Sequence, residues 1–157
     1  MLCQGGKKKL LVKIATKPQS LSMITSIYAG FLGLLFFKMS IDTIKARRKY
    51  QISTGFGPKG EIANVVSGHA NFTAYAPLFL ILLYLLEVSG LMPWWGLHAL
   101  GAPFLLGRVL HSMAFSTPKM NFNRRVLGMH MTLWPLVLAS STLVAISVYQ
   151  KFILATF

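Results

Sequence analysis

The sequence predicts an all-α integral membrane protein that folds as a bundle of four helices. Of its 157 residues, 54% are hydrophobic and only 12% are charged, whereas soluble domains carry about 25% charged residues. Four stretches of 20 or 25 residues contain no Asp, Glu, Lys or Arg, and about 20 apolar residues suffice for a helix to cross the hydrocarbon core of a bilayer. These stretches are residues 18–37, 62–86, 88–107 and 126–150.

The charged residues are strongly biased towards the basic side chains. There are 16 Lys and Arg against 3 Asp and Glu, which gives a net charge of +13. A nucleic-acid-binding domain would need a basic face on a polar fold, and the four apolar stretches leave no room for one. The sequence therefore predicts the lipid bilayer as a partner and excludes nucleic acid.

The four predicted helices are separated by residues that break helices. Gly and Pro within residues 54–58 end the first, Gly90 and Pro93 separate the second from the third, and Asn123 is a candidate cap for the fourth. The predicted bounds are residues 22–48, 60–89, 93–115 and 123–152. Together they form a membrane domain that we expect to span residues 23–157.

Residues 1–22 form a basic extension ahead of this domain. Three lysines and a short apolar run resemble the start of a signal peptide, but Lys13, Lys17 and Pro18 interrupt it, so we do not expect a cleavable signal. Two readings stay open. Translation starts at Met23 instead, or the segment lies on anionic lipid.

The loop charges predict the orientation of the bundle. Residues 38–59 hold six basic side chains, and the region around the third connection, residues 108–125, holds Arg108, Lys119, Arg124 and Arg125, whereas the second turn holds none. Cytoplasmic loops carry the excess of Lys and Arg. We therefore expect the first and third connections in the cytoplasm and both termini outside it, in a bacterial inner membrane.

The polar residues that could carry chemistry are predicted to lie at the cytoplasmic face. Ionisable groups at membrane depth point into the bundle or a watered cavity, and guanidinium groups pair bidentately with carboxylates and phosphates. This pattern predicts a basic pocket for a polyvalent anion. Its candidates on the four helices are Arg47, Arg48, His69, Asn71, Arg108, His111, Arg124 and Arg125.

Each of these residues also has a purely structural interpretation. The arginines at the helix ends would satisfy the positive-inside rule, and His69 and Asn71 would serve as hydrogen bonds between helices. No general catalytic motif stands out: with three acids in the chain we do not expect a carboxylate pair in one pocket, and there is no P-loop or dinucleotide-binding fingerprint. The four histidines and the single Cys3 lack metal-ligand spacing, so we expect no metal.

Three blocks of sequence resemble one known family, the membrane-associated proteins in eicosanoid and glutathione metabolism, and in particular its small bacterial members. The first block is residues 46–50, Ala-Arg-Arg-Lys-Tyr, and the second is residues 69–79, which resemble the family's helix-two motif. The third is residues 107–118, followed by Asn123 and Arg124. It is similar to the end of the third helix in microsomal glutathione transferases. The resemblance extends from Met23 to about Tyr149.

The resemblance implies a homotrimer of four-helix protomers with glutathione, as co-substrate, bound between protomers near the cytoplasmic face. Arg124 falls where the transferases place the arginine that stabilises the thiolate. A nearby guanidinium lowers the pKa of a thiol from its usual value of about 8.5. The positions implied for glutathione binding are Arg47, Arg48, His69, Asn71, Tyr75, Arg108 and His111.

The sequence departs from the family pattern at three positions. Ser67 stands where the helix-two motif has Arg, Ala74 where it has Glu, and Phe115 where the transferases have Tyr. The first two changes remove a partner for a carboxylate and a partner for the amino end of the tripeptide. A charge-assisted hydrogen bond is worth about 1.5–3 kcal/mol, so both losses together weaken binding by about a hundredfold or more.

Three functions therefore compete at this point. The first is a glutathione S-transferase or peroxidase that acts on hydrophobic electrophiles from the bilayer. The second is a non-catalytic membrane scaffold that binds a lipid or an anionic small molecule. The third, a transporter or channel subunit, has less support because the chain has no inverted repeat and its polar residues gather at one face.

Overall fold

The computed structural model describes residues 23–115 and 120–154, and these residues form an all-α membrane bundle without strands. The predictions made for residues 1–22 lie outside the described part of the chain. The four helices are α1 (Met23–Tyr50), α2 (Ala63–Val88), α3 (Trp94–Phe115) and α4 (Phe122–Tyr149), and a short π-helical segment, Gln150–Leu154, continues α4. The bounds agree with the predicted ones to within three residues.

Three of the four helices are long and apolar enough to span a membrane, namely α1, α2 and α4 with its continuation. The fourth predicted span, α3, is not among these three. Helix α3 has 22 residues, about 33 Å at 1.5 Å per residue, so its length suffices. It carries His98, Arg108 and His111, and half of its residues are buried in the bundle. Arg108 and His111 are among the buried residues, and His98 is partly buried.

Local backbone signals explain where the helices end. Helix α1 stops in a Schellman motif, in which the Ile52 amide donates to the Arg47 carbonyl and Gln51 adopts a positive φ of 55°. The start of α4 corrects a prediction, because Asn121, rather than Asn123, caps the helix. Its side-chain oxygen accepts a hydrogen bond from the Arg124 amide at 3.1 Å.

A carboxylate from α2 holds the start of α1. Glu87 accepts hydrogen bonds from the backbone amides of Ile24, at 3.0 Å, and Thr25, at 2.9 Å, and from the Thr25 hydroxyl. These amides are among the donors that an α-helix leaves without an intrahelical acceptor. A negative charge at this end is also favoured by the helix dipole. Glu87 therefore fixes the end of α1 opposite to Arg47.

Helix α3 lies in the middle of the bundle, and its most extensive contact is with α4. On the side of α3 that faces α2, Phe104 stacks on Phe79 with ring centroids 3.8 Å apart, and both rings are fully buried. Nearer the other end, Gly107 and Gly128 let the two backbones touch, because a Cβ built on Gly107 would lie 2.9 Å from the Gly128 carbonyl oxygen. Small residues commonly allow such close approach between membrane helices. This crossing places Arg108 directly against α4.

Candidate functional site

A buried arginine links three helices at the centre of the polar region. The side chain of Arg108 is 1% exposed. Its Nε donates to the Thr132 hydroxyl at 3.0 Å, and its Nη1 donates to the Asn71 side-chain oxygen at 2.8 Å. The guanidinium also lies 5.7 Å from the centre of the Tyr75 ring, within range of a cation–π interaction. Helices α2, α3 and α4 are therefore tied together by one side chain.

A polar groove opens beside this network, and we call it the Asn71 groove. It encloses about 400 Å³, within the range of about 300–1,000 Å³ that is usual for ligand pockets. Its polar lining residues are Asn64, Ser67, Asn71, His111 and Arg125. None of its lining residues is acidic, and Arg125 supplies a positive charge. The arrangement suits a ligand that carries carboxylate groups.

Phe115 shapes one wall of the Asn71 groove. Its ring packs on Gly68, where an added Cβ would lie 3.0 Å from the Phe115 Cβ. The same ring contacts His111, with centroids 4.9 Å apart, and lies 5.7 Å from the Arg125 guanidinium. Phe115 thus presents an aromatic ring without a hydroxyl to the groove. It can hold Arg125 over the groove, but it cannot donate a hydrogen bond.

A second groove, which we call the Lys45 groove, adjoins the first. It encloses about 410 Å³, and both grooves are lined by Asn64 and Phe115. It brings together three lysines and two acids, Lys38, Lys45, Lys49, Asp42 and Glu61. One of these acids is paired within the helix, because Lys38 Nζ lies 2.6 Å from the Asp42 carboxylate. The two grooves together offer groups of both charges.

Four of the predicted glutathione-binding residues are brought together. Asn71 and His111 line the Asn71 groove, Arg108 bonds to Asn71, and Tyr75 faces the guanidinium. No ligand tests their roles, which stay predictions.

The other predicted residues lie elsewhere in the protomer. His69 faces α1, where its Nε2 lies 3.1 Å from the Ser40 hydroxyl, and Arg47 donates to the carbonyl groups of Ser53 and Gly55. Arg48 has an exposed side chain at the end of α1. Arg124 is exposed in the first turn of α4 and lines neither groove.

Two residues of the network carry no signal in the sequence. Thr132 accepts from Arg108 and donates to the Gly128 carbonyl at 2.7 Å, and Met129 offers its sulfur to the guanidinium at 3.8 Å. Both are ordinary residues of an apolar helix, more than 20 positions from Arg108. Only the Gly107–Gly128 crossing brings them within reach.

Comparison with known proteins agrees with this architecture. The chain matches the MAPEG family over residues 25–144, well over half of its length. It is 30% identical to the inner membrane protein YecN of Escherichia coli strain K12 over 93 residues, which cover 59% of this chain and 70% of that protein. The YecN protein of Escherichia coli O6:H1 strain CFT073 matches to the same extent. On the extent of the family match, this chain belongs to the MAPEG family.

Proposed function

We propose that this protein is a membrane-bound glutathione transferase, with peroxidase chemistry as a second outcome, that acts on hydrophobic electrophiles from the bilayer. The observation that carries the proposal is the Asn71 groove, whose polar lining combines amide, hydroxyl, imidazole and guanidinium groups without a carboxylate. A peptide with two carboxylates and a thiol is complementary to such a lining. Membership in the MAPEG family supports the same assignment.

The two grooves together suit the charges of glutathione. The peptide carries two carboxylates and one ammonium group, and the family's acid for the ammonium is replaced here by Ala74. Glu61, in the adjoining Lys45 groove, is an acid on the same side of the bundle. We propose that it takes the ammonium end, while Arg125 and Asn71 hold a carboxylate. This would offset part of the loss expected from the sequence.

The proposed reaction needs a cation near the sulfur. The thiolate attacks the electrophilic carbon, a carbon–sulfur bond forms, and the leaving group departs with its electron pair. We assign thiolate stabilisation to Arg124. Because this side chain is exposed and lines neither groove, we propose that it acts in a homotrimer, on a site completed by a neighbouring protomer.

We also propose that the protein lies in a bacterial inner membrane, as the name of YecN suggests, with both termini outside the cytoplasm.

Replacing Arg124 with alanine should abolish most of the activity. Loss of one guanidinium raises the pKa of the bound thiol by one to two units, so the conjugation rate at neutral pH should fall by about ten- to a hundredfold. The measurement is glutathione conjugation to an aryl halide by the purified protein in detergent. The ultraviolet absorbance of bound thiolate should fall in parallel.

Lys59→Ala is the matched control, since it removes an exposed cation from the loop between α1 and α2 and lines neither groove. Its activity should equal that of the wild type. If Arg124→Ala turned over substrate at the wild-type rate, another cation would have to stabilise the thiolate. Absence of turnover in the wild type would contradict the enzyme.

The alternative is a non-catalytic scaffold that holds a lipid or an anionic small molecule in the same groove. Two observations favour it. Ser67 lines the groove where the family has an arginine, and Arg124 does not reach the groove within one protomer. Saturable binding of glutathione without conjugation, or binding of an anionic lipid in its place, would identify this function.

A further inference from the structure

The orientation of the Asn71 side chain is determined by chemistry. An arginine guanidinium carries only hydrogen-bond donors, so the amide must turn its oxygen towards Arg108, and the 2.8 Å contact joins Arg108 Nη1 to Asn71 Oδ1. The Asn71 amide nitrogen, with its two N–H groups, therefore points away from Arg108 and can donate hydrogen bonds to other partners. Asn71 lines the groove, so these donors belong to the groove wall.

The guanidinium lies directly behind this wall. Both Asn71 and Met129 contact Arg108 and line the groove. Arg108 itself is 1% exposed and is not a lining residue, so a ligand in the groove would meet Asn71 before it met the arginine. Any effect of Arg108 on the ligand must act through Asn71 and through its electric field.

The partners of Arg108 in the described part of the chain are all uncharged. They are an amide oxygen, a hydroxyl, a thioether and the faces of two aromatic rings, contributed by Asn71, Thr132, Met129, Tyr75 and Phe104. A buried charge that no opposite charge neutralises is costly, and its field is weakly screened in a low-dielectric interior. The positive potential therefore extends into the groove through the wall formed by Asn71.

We propose that Arg108 is a positioning residue that fixes Asn71 as a hydrogen-bond donor, so that the groove selects a carboxylate at this point. This inference rests on the proposed function, because it names the ligand group that meets Asn71. It also explains how a groove without the family's motif arginine at position 67 can still attract an anion. The field of Arg108, from behind the wall, adds to that of Arg125, which lines the groove surface.

Asn71→Asp tests the proposal with almost no change of shape. The variant keeps an oxygen facing Arg108 and forms an ion pair with it, but it replaces the donor towards the groove with a second acceptor. Glutathione binding, measured by calorimetry on the purified protein in detergent, should weaken by about a hundredfold or more. The unfolding temperature should rise by a few degrees, because the buried charge gains a counter-ion.

Asn64→Asp is the matched control for charge. It adds the same negative charge to the groove, but Asn64 makes no contact with Arg108 in the described residues. Its unfolding temperature should stay at the wild-type value, and its loss of affinity should be smaller. An equal loss of affinity in both variants would overturn the positioning role and leave a general charge effect.

Arg108→Lys separates the orientation of Asn71 from the packing of the guanidinium. An ammonium group also donates to Asn71 and keeps the charge. The variant should retain part of the affinity for glutathione. Stronger glutathione binding by Asn71→Asp would overturn the proposal, because it would show that the ligand presents a donor at this point.

Two simple probes separate this inference from the proposed function. If the wild type binds no glutathione, glutarate and cadaverine, a dicarboxylate and a diamine of equal length, can be compared by their effect on the unfolding temperature. We expect glutarate to stabilise the wild type and cadaverine to have no effect, with the preference lost or reversed in Asn71→Asp. Preference of the wild type for cadaverine, or for neither compound, would overturn the inference.

Discussion

Gly128→Ala should destabilise the bundle by about 1–3 kcal/mol, the usual cost of overpacking a close contact. A Cβ at this position would lie 2.8 Å from the His111 amide nitrogen and 2.9 Å from the Gly107 carbonyl oxygen. Both are backbone atoms, so no side chain can move aside, and α3 and α4 must separate. The unfolding temperature in detergent, followed by circular dichroism, measures the effect.

The same change should also weaken ligand binding, because Thr132 lies one turn beyond Gly128 and anchors Arg108. Gly30→Ala is the control, since the space around Gly30 is open in the described protomer. Alanine is a better helix former than glycine by about 0.5–1 kcal/mol, so this variant should be as stable as the wild type or more stable. A Gly128→Ala protein as stable as Gly30→Ala would contradict the packing of α3 against α4.

Arg108→Met should lose most of the affinity for glutathione while it keeps or gains stability. Methionine fills much of the same volume, Thr132 keeps its hydrogen bond to the Gly128 carbonyl, and Asn71 can hydrate at the edge of the groove. The change also removes a buried charge that has only uncharged partners, a charge whose desolvation costs several kcal/mol. Binding should fall by about a hundredfold, because the field and the fixed orientation of Asn71 are both lost.

The sign of the stability change decides between two interpretations of Arg108. If the role of Arg108 were purely structural, its loss would destabilise the folded state. Arg108→Met would then unfold at a markedly lower temperature than the wild type. Calorimetry and thermal unfolding on the same samples give both quantities. Lower stability with unchanged affinity would refute the role of Arg108 in binding.

Most of the fold follows from the sequence, because uncharged stretches of 20 or more residues have few alternatives to helix in a membrane. The bounds differ only at the ends. Asn121 and Asn123 are equally good caps by residue type, and their position in the turn decides between them. Helix α3 can carry polar side chains because they are buried in the bundle. The sequence indicates this burial only through Arg108.

The site follows from the sequence only in part. Asn71, Arg108 and His111 converge as expected, because polar groups in a bundle turn away from lipid. His69 does not join them in the protomer. It precedes Asn71 by two positions, and side chains two positions apart on a helix differ by about 200° and face opposite sides. The acceptor Thr132 could not be found, because its role depends on how closely α3 and α4 approach.

Glutathione titration of the purified wild-type protein tests the central claim most directly, with heat and thiolate absorbance recorded together. The claim is that a groove lined by Asn71 and backed by Arg108 binds an anionic thiol peptide. We expect saturable binding that weakens with added salt, as partly exposed charge pairs do, and that is lost in Asn71→Asp. Absence of saturable binding, or binding that Asn71→Asp leaves intact, would contradict the account.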